Sequence, residues 1–391
     1  MRSRTTIVAA LGSTQTLAWA SSYYLPAILG APIAAGLGLP QSVFFGIFSL
    51  SLLLSGVLGP TVGRMIDRRG GREVLAASNL VLAAGLVLLA LAQGIAGLAV
   101  AWLFLSLAIA MGLYDSAFAA LTAIYGRQAR GPITGITLIA GFASTIGWPA
   151  SAWFAHSFGW REACLIWAAI NLFVALPLNW FVIPRGRYEP PPAEIAARTA
   201  AGEAPRGAMP ILAFFFSAAW FVTGAMAAHL PRLLQAAGAD ETAAIAAAAL
   251  VGPAQVAARL VEFGLMRTVH PVISARLAAA AHPLGAACLA AFGAPAALAF
   301  AVLHGAGNGL ITIAKGTLPL AIFGPEGYGL RSGVLSAPAR VTQAAGPFLF
   351  GLLLDRYGAG AVLVSGGLSL AACASLLLLR ARARQEAARA L

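Results

Sequence analysis

The sequence predicts an all-α membrane protein with about twelve transmembrane helices, and three observations carry that expectation. Of its 391 residues, 60% are hydrophobic and only 10% are charged, which is more apolar surface than a soluble domain of this length could bury. Apolar runs of about 20 residues, the length that crosses a hydrocarbon core at about 1.5 Å rise per residue, recur from one end to the other between short polar breaks. Within these runs, as at 81–92, the residues are apolar all round instead of alternating, which argues against a transmembrane β-barrel.

Taken in order, the spans are placed at 6–30, 42–63, 74–94, 97–123, 132–155, 162–183, 209–231, 242–265, 271–292, 295–322, 333–354 and 360–379, with ends good to about four residues. The first begins near Ile7 and lacks a small-residue cleavage site, so it is read as a retained helix and not a signal peptide. It presents Gln15, Trp19 and Ser22 on one face, with Tyr23 and Tyr24 close by. Span 2 carries Gly59-Pro60 and runs into a basic loop, span 4 contains Tyr114-Asp115-Ser116, and span 5 is rich in glycine and proline between Gly141 and Pro149. After span 6 the segment from Pro184 to Gly207 is rich in Pro, Arg and Glu, too polar to span and too long for a tight turn. The expected organisation is therefore a six-helix bundle over 1–183, a cytoplasmic linker over 184–208 and a second six-helix bundle over 209–391 with a basic tail. Arg64 and Asp67 at the end of span 2 recur as Arg259 and Glu262 at the end of span 8, both at an offset of 195 residues and each pair preceded by Gly-Pro. A duplicated six-helix unit leaves this kind of trace, with the solute site near the bilayer midplane.

The net charge of +12 raises nucleic acid as a partner, and charge placement argues against it. Eighteen of the 25 basic residues fall at the termini or in loops on the side that holds both ends, and only Arg161, Arg232 and Arg356 fall on the other. The positive-inside rule makes the first side cytoplasmic. The tail residues Arg380, Arg382, Arg384 and Arg389 then face anionic headgroups. Cys164, Cys288 and Cys373 stand singly in spans without metal-ligand spacing and read as small packing residues.

The loop after span 2 reads Gly63-Arg-Met-Ile-Asp67-Arg68-Arg-Gly70-Gly-Arg72. It resembles the signature loop of the major facilitator superfamily in residue type, spacing, position and side of the membrane. Glycine at 63 permits close helix contact and at 70 a tight reversal, while Asp67 can pair with arginine or cap a helix end. The resemblance implies a gate latch formed by Gly63, Asp67, Arg68, Gly70 and Arg72; a plain basic anchor loop is the alternative. Gly159-Trp160-Arg161 is similar to a turn common in the superfamily. The arginine that many proton-coupled drug antiporters carry in span 4 is absent near Ala108, and their Gly-Pro-x-x-Gly-Gly pattern is replaced by Gly147-Trp148-Pro149-Ala150-Ser151. The resemblance further implies that spans 1, 4, 7 and 10 line the solute cavity, which makes Gln15, Trp19, Tyr24, Ser217, Trp220 and Gly224 candidate walls.

Ionisable groups inside a span cost about 2.5–3.5 kcal/mol at its centre on insertion scales, so those that occur face a partner or a cavity. They are Asp115, Arg259, Glu262, Arg276, Lys315 and Arg340, of which Arg276 is close enough to a cytoplasmic end to snorkel. His304, Asn308, Thr312 and Lys315, the only lysine, form a polar stripe on span 10, which Gly305, Gly307, Gly309 and Gly316 interrupt. Ser336, Arg340 and Gln343 form a second stripe on span 11. Lys315 and Arg340 together suit a small anion, one as a point charge and the other as a fork; pairing with a carboxylate inside the bundle is the alternative. Arg259 and Glu262, three residues apart, read as a gate-side pair. Asp115, Glu262 and His304 are candidates for carrying protons, with structural hydrogen bonds as the competing role.

No phosphate-binding loop or assembled nucleophile and base is visible, so the chain is read as a non-enzyme without cofactors or metal. The expected function is secondary transport of a small, anionic solute such as an organic carboxylate across a bacterial-type inner membrane, by alternating access with a proton as candidate coupling ion. Efflux of a toxic or amphipathic compound is the alternative. The expected partners are the solute and the bilayer, and the expected state is a monomer.

Overall fold

The computed structural model describes residues 3–185, 207–266 and 268–379, and these are helical with short connections. Most of the 184–208 linker and the basic tail from Arg380 lie outside the described residues. The helices are α1 (Arg4–Ser21), α2 (Leu25–Gly36), α3 (Gln41–Arg69), α4 (Gly71–Ala90), α5 (Gly94–Gly112), α6 (Tyr114–Tyr125), α7 (Arg130–Ala140), α8 (Ala143–Phe158), α9 (Trp160–Ile170) and α10 (Leu176–Val182). After the linker follow α11 (Ala208–Ala236), α12 (Glu241–Ala249), α13 (Val251–Gly264), α14 (Pro271–Phe292), α15 (Ala297–Phe323), α16 (Tyr328–Tyr357) and α17 (Ala361–Leu377). Nine helical stretches among the described residues are long and apolar enough to cross a membrane. Two of them, Gly94–Phe158 and Tyr328–Leu377, each fold back at a 3₁₀ turn, Gly126–Ala129 and Gly358–Gly360, and so hold more than one crossing. The first span is missing from the nine because it is split into α1 and α2.

Local chemistry explains the splits. Pro26 at the start of α2 has no N–H to continue α1, and Ser21 and Ser22 turn their hydroxyls back onto Leu17 O and Ala18 O at 2.7 and 2.5 Å. Leu113 is extended between α5 and α6, and a single π-helical turn at Asn171–Ala175 separates α9 from α10.

Two compact units divide the chain: Met1–Ala193 with Gly324–Ala337, and Glu194–Phe323 with Pro338–Leu391. The first ten residues of α16 thus pack with the first unit, and the helix passes to the second at Pro338. In the first unit the apolar core gathers Leu29, Phe44, Leu86, Trp102 and Trp167 from α2, α3, α4, α5 and α9. Beside it runs a buried chain of amides: Thr14 donates to Asn179 Oδ1 (3.0 Å), Asn179 to Asn79 Oδ1 (2.7 Å), and Asn171 to Ser21 Oγ (2.9 Å). Such side chains hold helices together where apolar packing gives little preference over lipid. Asn179→Ala is expected to lower the melting temperature in detergent, through a loss of about 1–2 kcal/mol, because Thr14 and Asn79 each lose one of their partners; an unchanged melt would show the chain to be dispensable. The second unit's core joins Leu233, Leu234, Phe300, Phe350 and Val362 from α11, α15, α16 and α17.

Duplication is written into the turns. Glycines with positive φ stand at corresponding connections between helices at 38 and 238, 94 and 293, 126 and 324, and 159 and 358, offsets of 198–200 residues. A side chain there would strain the backbone, so the turn positions keep the repeat where the helices have diverged.

Candidate functional site

In the first unit the loop between α3 and α4 is built as a cap. Gly70, at φ 86°, ends α3 with its N–H on Ile66 O at 2.8 Å. One turn earlier Asp67 accepts from the N–H groups of Gly329 (2.8 Å) and Leu330 (2.9 Å), so one carboxylate satisfies two of the orphan donors that open α16. The helices meet through Gly59 and Gly63 on α3 and Gly329 and Gly333 on α16, a small-residue crossing on both sides. A Cβ added at Gly63 would fall on the carbonyl of Gly329, and one at Gly333 would lie 2.5 Å from Gly59 O. Arg72 stacks over the ring of Trp180 at 4.7 Å, while Arg64 and Arg68 lie on the exposed side of α3. Of the motif residues, Gly63 and Asp67 make the contact with α16, Gly70 shapes the turn, and Arg72 anchors α4 to α10.

Further into the first unit, the break at Leu113 gathers polar and aromatic groups. Carbonyls released by the interruption are taken up by Ser116, whose hydroxyl donates to Ala110 O at 2.9 Å, and by Gln15, whose Nε2 donates to Gly112 O at 2.6 Å. Asp115, in the first turn of α6, accepts from Ser336 Oγ at 3.0 Å. The Trp19 ring lies 4.9 Å from Tyr114, 5.2 Å from Tyr23 and 5.9 Å from Tyr24 between centroids, and Tyr24 continues to Trp148 at 5.9 Å. Sequence reasoning placed Gln15, Trp19 and Ser22 on one face, with Tyr23 and Tyr24 close by, but missed the helix break at Leu113. Its only signal was Gly112, where a Cβ would meet Ser78 Oγ at 2.6 Å.

In the second unit the polar stripe of α15 divides between two neighbours. Asn308 accepts from Thr223 of α11 at 2.9 Å, and the Lys315 ammonium sits 5.3 Å above the Trp220 ring of the same helix. Thr312 returns its hydroxyl to Asn308 O at 3.0 Å. His304 turns the other way, with Nδ1 3.0 Å from His282 Nδ1 on α14, and His282 Nε2 lies 3.1 Å from Ser365 Oγ on α17. His304 is therefore one of a pair, which the separation of the two residues by 22 positions hid in the sequence. A small cavity of about 20 Å³ lies among His282, His304, Asn308 and Thr223. The glycines of α15 serve close packing in an unbroken helix: a Cβ at Gly305 or Gly309 would meet Val251 O or Gln255 O of α13 at 2.6 and 2.5 Å.

Arg259 reaches toward Gly309 O and Gln255 Oε1, both at 3.5 Å, and Glu262 accepts from Ser274 at 2.9 Å. Arg276 donates to Leu376 O and Leu379 O at 2.9 and 3.0 Å, closing the end of α17. Arg340 and Gln343 lie on the part of α16 that belongs to the second unit, where α11 and α16 approach through Gly224 and Gly346.

A duplicated bundle of apolar helices with charged groups at membrane depth defines a secondary transporter. The chain belongs to the Major Facilitator Superfamily, whose family model matches residues 11–281. Among 269 matching chains of solved structures, that of the human organic anion transporter MFSD10 (TETRAN) aligns with a TM-score of 0.73. That alignment covers 96% of this chain and 100% of the other at 16% identity. No curated protein matches the sequence.

Proposed function

We propose that this multi-pass transporter moves a small organic anion by alternating access, across an inner membrane with both termini on the cytoplasmic side. The observation that carries the reading is the balance of buried charge. Among the described residues the buried Lys, Arg, Asp and Glu side chains are Arg259, Glu262, Lys315 and Arg340, three cations to one carboxylate, all in the second unit. Three cations beside one carboxylate give this interior a positive potential, which favours a solute of negative charge. Lys315 and Arg340, at 8% and 9% exposure, are the proposed anion contacts, with Asn308, Thr312 and Gln343 beside them. The name of the human relative as an organic anion transporter supports the same solute class. The basic loops and termini support the proposed orientation, with the bundles over 1–183 and 209–391 joined through a cytoplasmic linker. In this proposal Asp115, Glu262 and the His282–His304 pair are the candidates to carry a coupling proton.

Thermal shift on detergent-purified protein tests the reading with small carboxylates, inorganic oxyanions and amphipathic amines. The expected result is stabilisation by a carboxylate that Lys315→Gln and Arg340→Gln each remove while the folded transition persists. Stabilisation of parent and variants alike by a neutral or cationic compound overturns it in favour of efflux of such compounds.

A further inference from the structure

We infer that the His282–His304 pair of the second unit binds a single proton, taken at Nε2 of His304 from a water in the adjoining cavity. That this proton is the coupling ion rests on the transport reading above; that the pair binds it does not.

The hydrogen bonds of the pair fix where its protons stand. Ser365 gives its one hydroxyl proton to Val362 O at 3.0 Å, so its oxygen is left to accept from His282 Nε2 at 3.1 Å. Neutral His282 is then bare at Nδ1, and the proton in its 3.0 Å bond to His304 Nδ1 comes from His304. Neutral His304 is in turn bare at Nε2. That nitrogen has no hydrogen-bond partner among the described residues, although His304 is only 5% exposed. Buried polar atoms are almost always bonded, so an open lone pair at this depth calls for a donor.

The cavity has room for that donor. His282, His304, Asn308 and Thr223 border a space of about 20 Å³, enough for one water. Asn308 follows His304 by one turn of α15; its oxygen accepts from Thr223, and its N–H groups bond to nothing among the described residues. A water held there donates to His304 Nε2 and accepts from Asn308. In acid, a hydronium ion at the same place gives one proton to Nε2, where an N–H bond forms, and water remains. The His304 imidazolium already directs its other N–H at His282, so the new charge strengthens an existing bond. A second proton is refused, because two imidazolium rings would set N–H against N–H across 3.0 Å.

The other titratable groups on the surrounding helices are engaged elsewhere. On α13, Arg259 reaches toward Gly309 O and Glu262 accepts from Ser274, while Arg276 of α14 closes the end of α17. Lys315 lies over Trp220, and on α11 His229 meets Pro347 O and Arg232 pairs with Asp355. Glu241 is exposed, and Cys373 faces Arg276 O. None of these, nor Cys288, borders the cavity, which leaves the two histidines as its titratable groups. A proton on His304 adds to the positive charge of Arg259, Lys315 and Arg340 in the same unit, so proton and anion favour one another's binding.

Nitrogen-15 NMR of the full-length protein in lipid bilayers, labelled at its five histidines, tests the inference. At about pH 8 the expected spectrum shows one ring protonated at Nδ1, one protonated at Nε2, and a scalar coupling across the N–H···N bond that identifies them as the facing pair. His282→Gln and His304→Gln assign the two rings. On titration to about pH 4, which spans the ordinary range of histidine, the bare Nε2 of His304 is expected to disappear with uptake of one proton per pair. Magnetisation transfer from water to that nitrogen is expected in the parent and lost in Asn308→Leu. A His304 protonated at Nε2 and bare at Nδ1 at about pH 8, uptake of two protons, or no titration of either ring overturns the proton site. A titrating His304 without transfer from water overturns the route through the cavity. No solute enters these measurements, so they stand or fall apart from the thermal-shift test of Lys315 and Arg340.

Discussion

Replacing Gly63 by leucine is expected to cost the protein its folded state in detergent, or to lower its stability by about 3 kcal/mol or more, because the new side chain has no direction in which to go. The Cβ alone would overlap the carbonyl group of Gly329, and that obstacle is helix backbone, which cannot rotate aside as a side chain does. Relief requires α3 and α16 to separate, and separation carries Gly59 away from Gly333 and Asp67 away from its two amide donors at the same time. Gly46→Leu provides the control. It lies on the same helix, a Cβ there meets nothing within 4 Å, and its effect is expected to stay within about 0.5 kcal/mol. Size-exclusion profile and melting temperature of the two variants, measured in one detergent, check the contrast. Equal behaviour would show that the crossing is not tight and that Gly63 sets only local backbone conformation.

That crossing was half legible in the sequence. Gly63 and Asp67 stood out because their loop resembles a family signature, but nothing in the spacing said that the aspartate would meet residues 329 and 330, more than 260 positions away. Membrane spans were legible for a physical reason: lipid requires every spanning segment to be helical and apolar, so composition alone locates it. Breaks inside spans were less so. Leu113 is an ordinary apolar residue with Gly112 as its single flanking signal, and the close approach of Ser78 and Gln15 to Gly112 is a tertiary fact that the sequence does not show. The stripe on α15 failed in another way. Helical spacing correctly put His304, Asn308 and Lys315 near one another, yet a helix packed on two sides sends neighbours in one stripe to different partners, His282 on one side and Thr223 with Trp220 on the other. Arg276 was placed correctly near a helix end, while its role there, donating to the last carbonyls of α17, needed a contact a hundred residues distant.

Asp67→Ala is expected to loosen the start of α16 without unfolding the bundle. Both carboxylate oxygens are engaged, each with one backbone N–H, and charge-assisted bonds of this kind contribute roughly 1.5–3 kcal/mol apiece. Alanine leaves both donors without their partner and removes the negative charge that favours a helix N-terminus. Asp67→Asn is the informative intermediate: its side-chain oxygen accepts from one of the two N–H groups, its amide nitrogen repels the other, and the charge is gone. Hydrogen–deuterium exchange of the peptide spanning residues 327–333 is therefore expected to be slowest in the parent, faster in Asp67→Asn and fastest in Asp67→Ala, with the amides of Gly329 and Leu330 accounting for the increase. Under the proposed alternating access this cap acts as a latch whose strength sets how two states are populated, and a variant that weakens it is then expected to change turnover more than solute affinity. Exchange at 327–333 that does not change in Asp67→Ala would show that the glycine crossing alone holds α16 against α3, and the carboxylate would then be left with a charge role at the membrane surface.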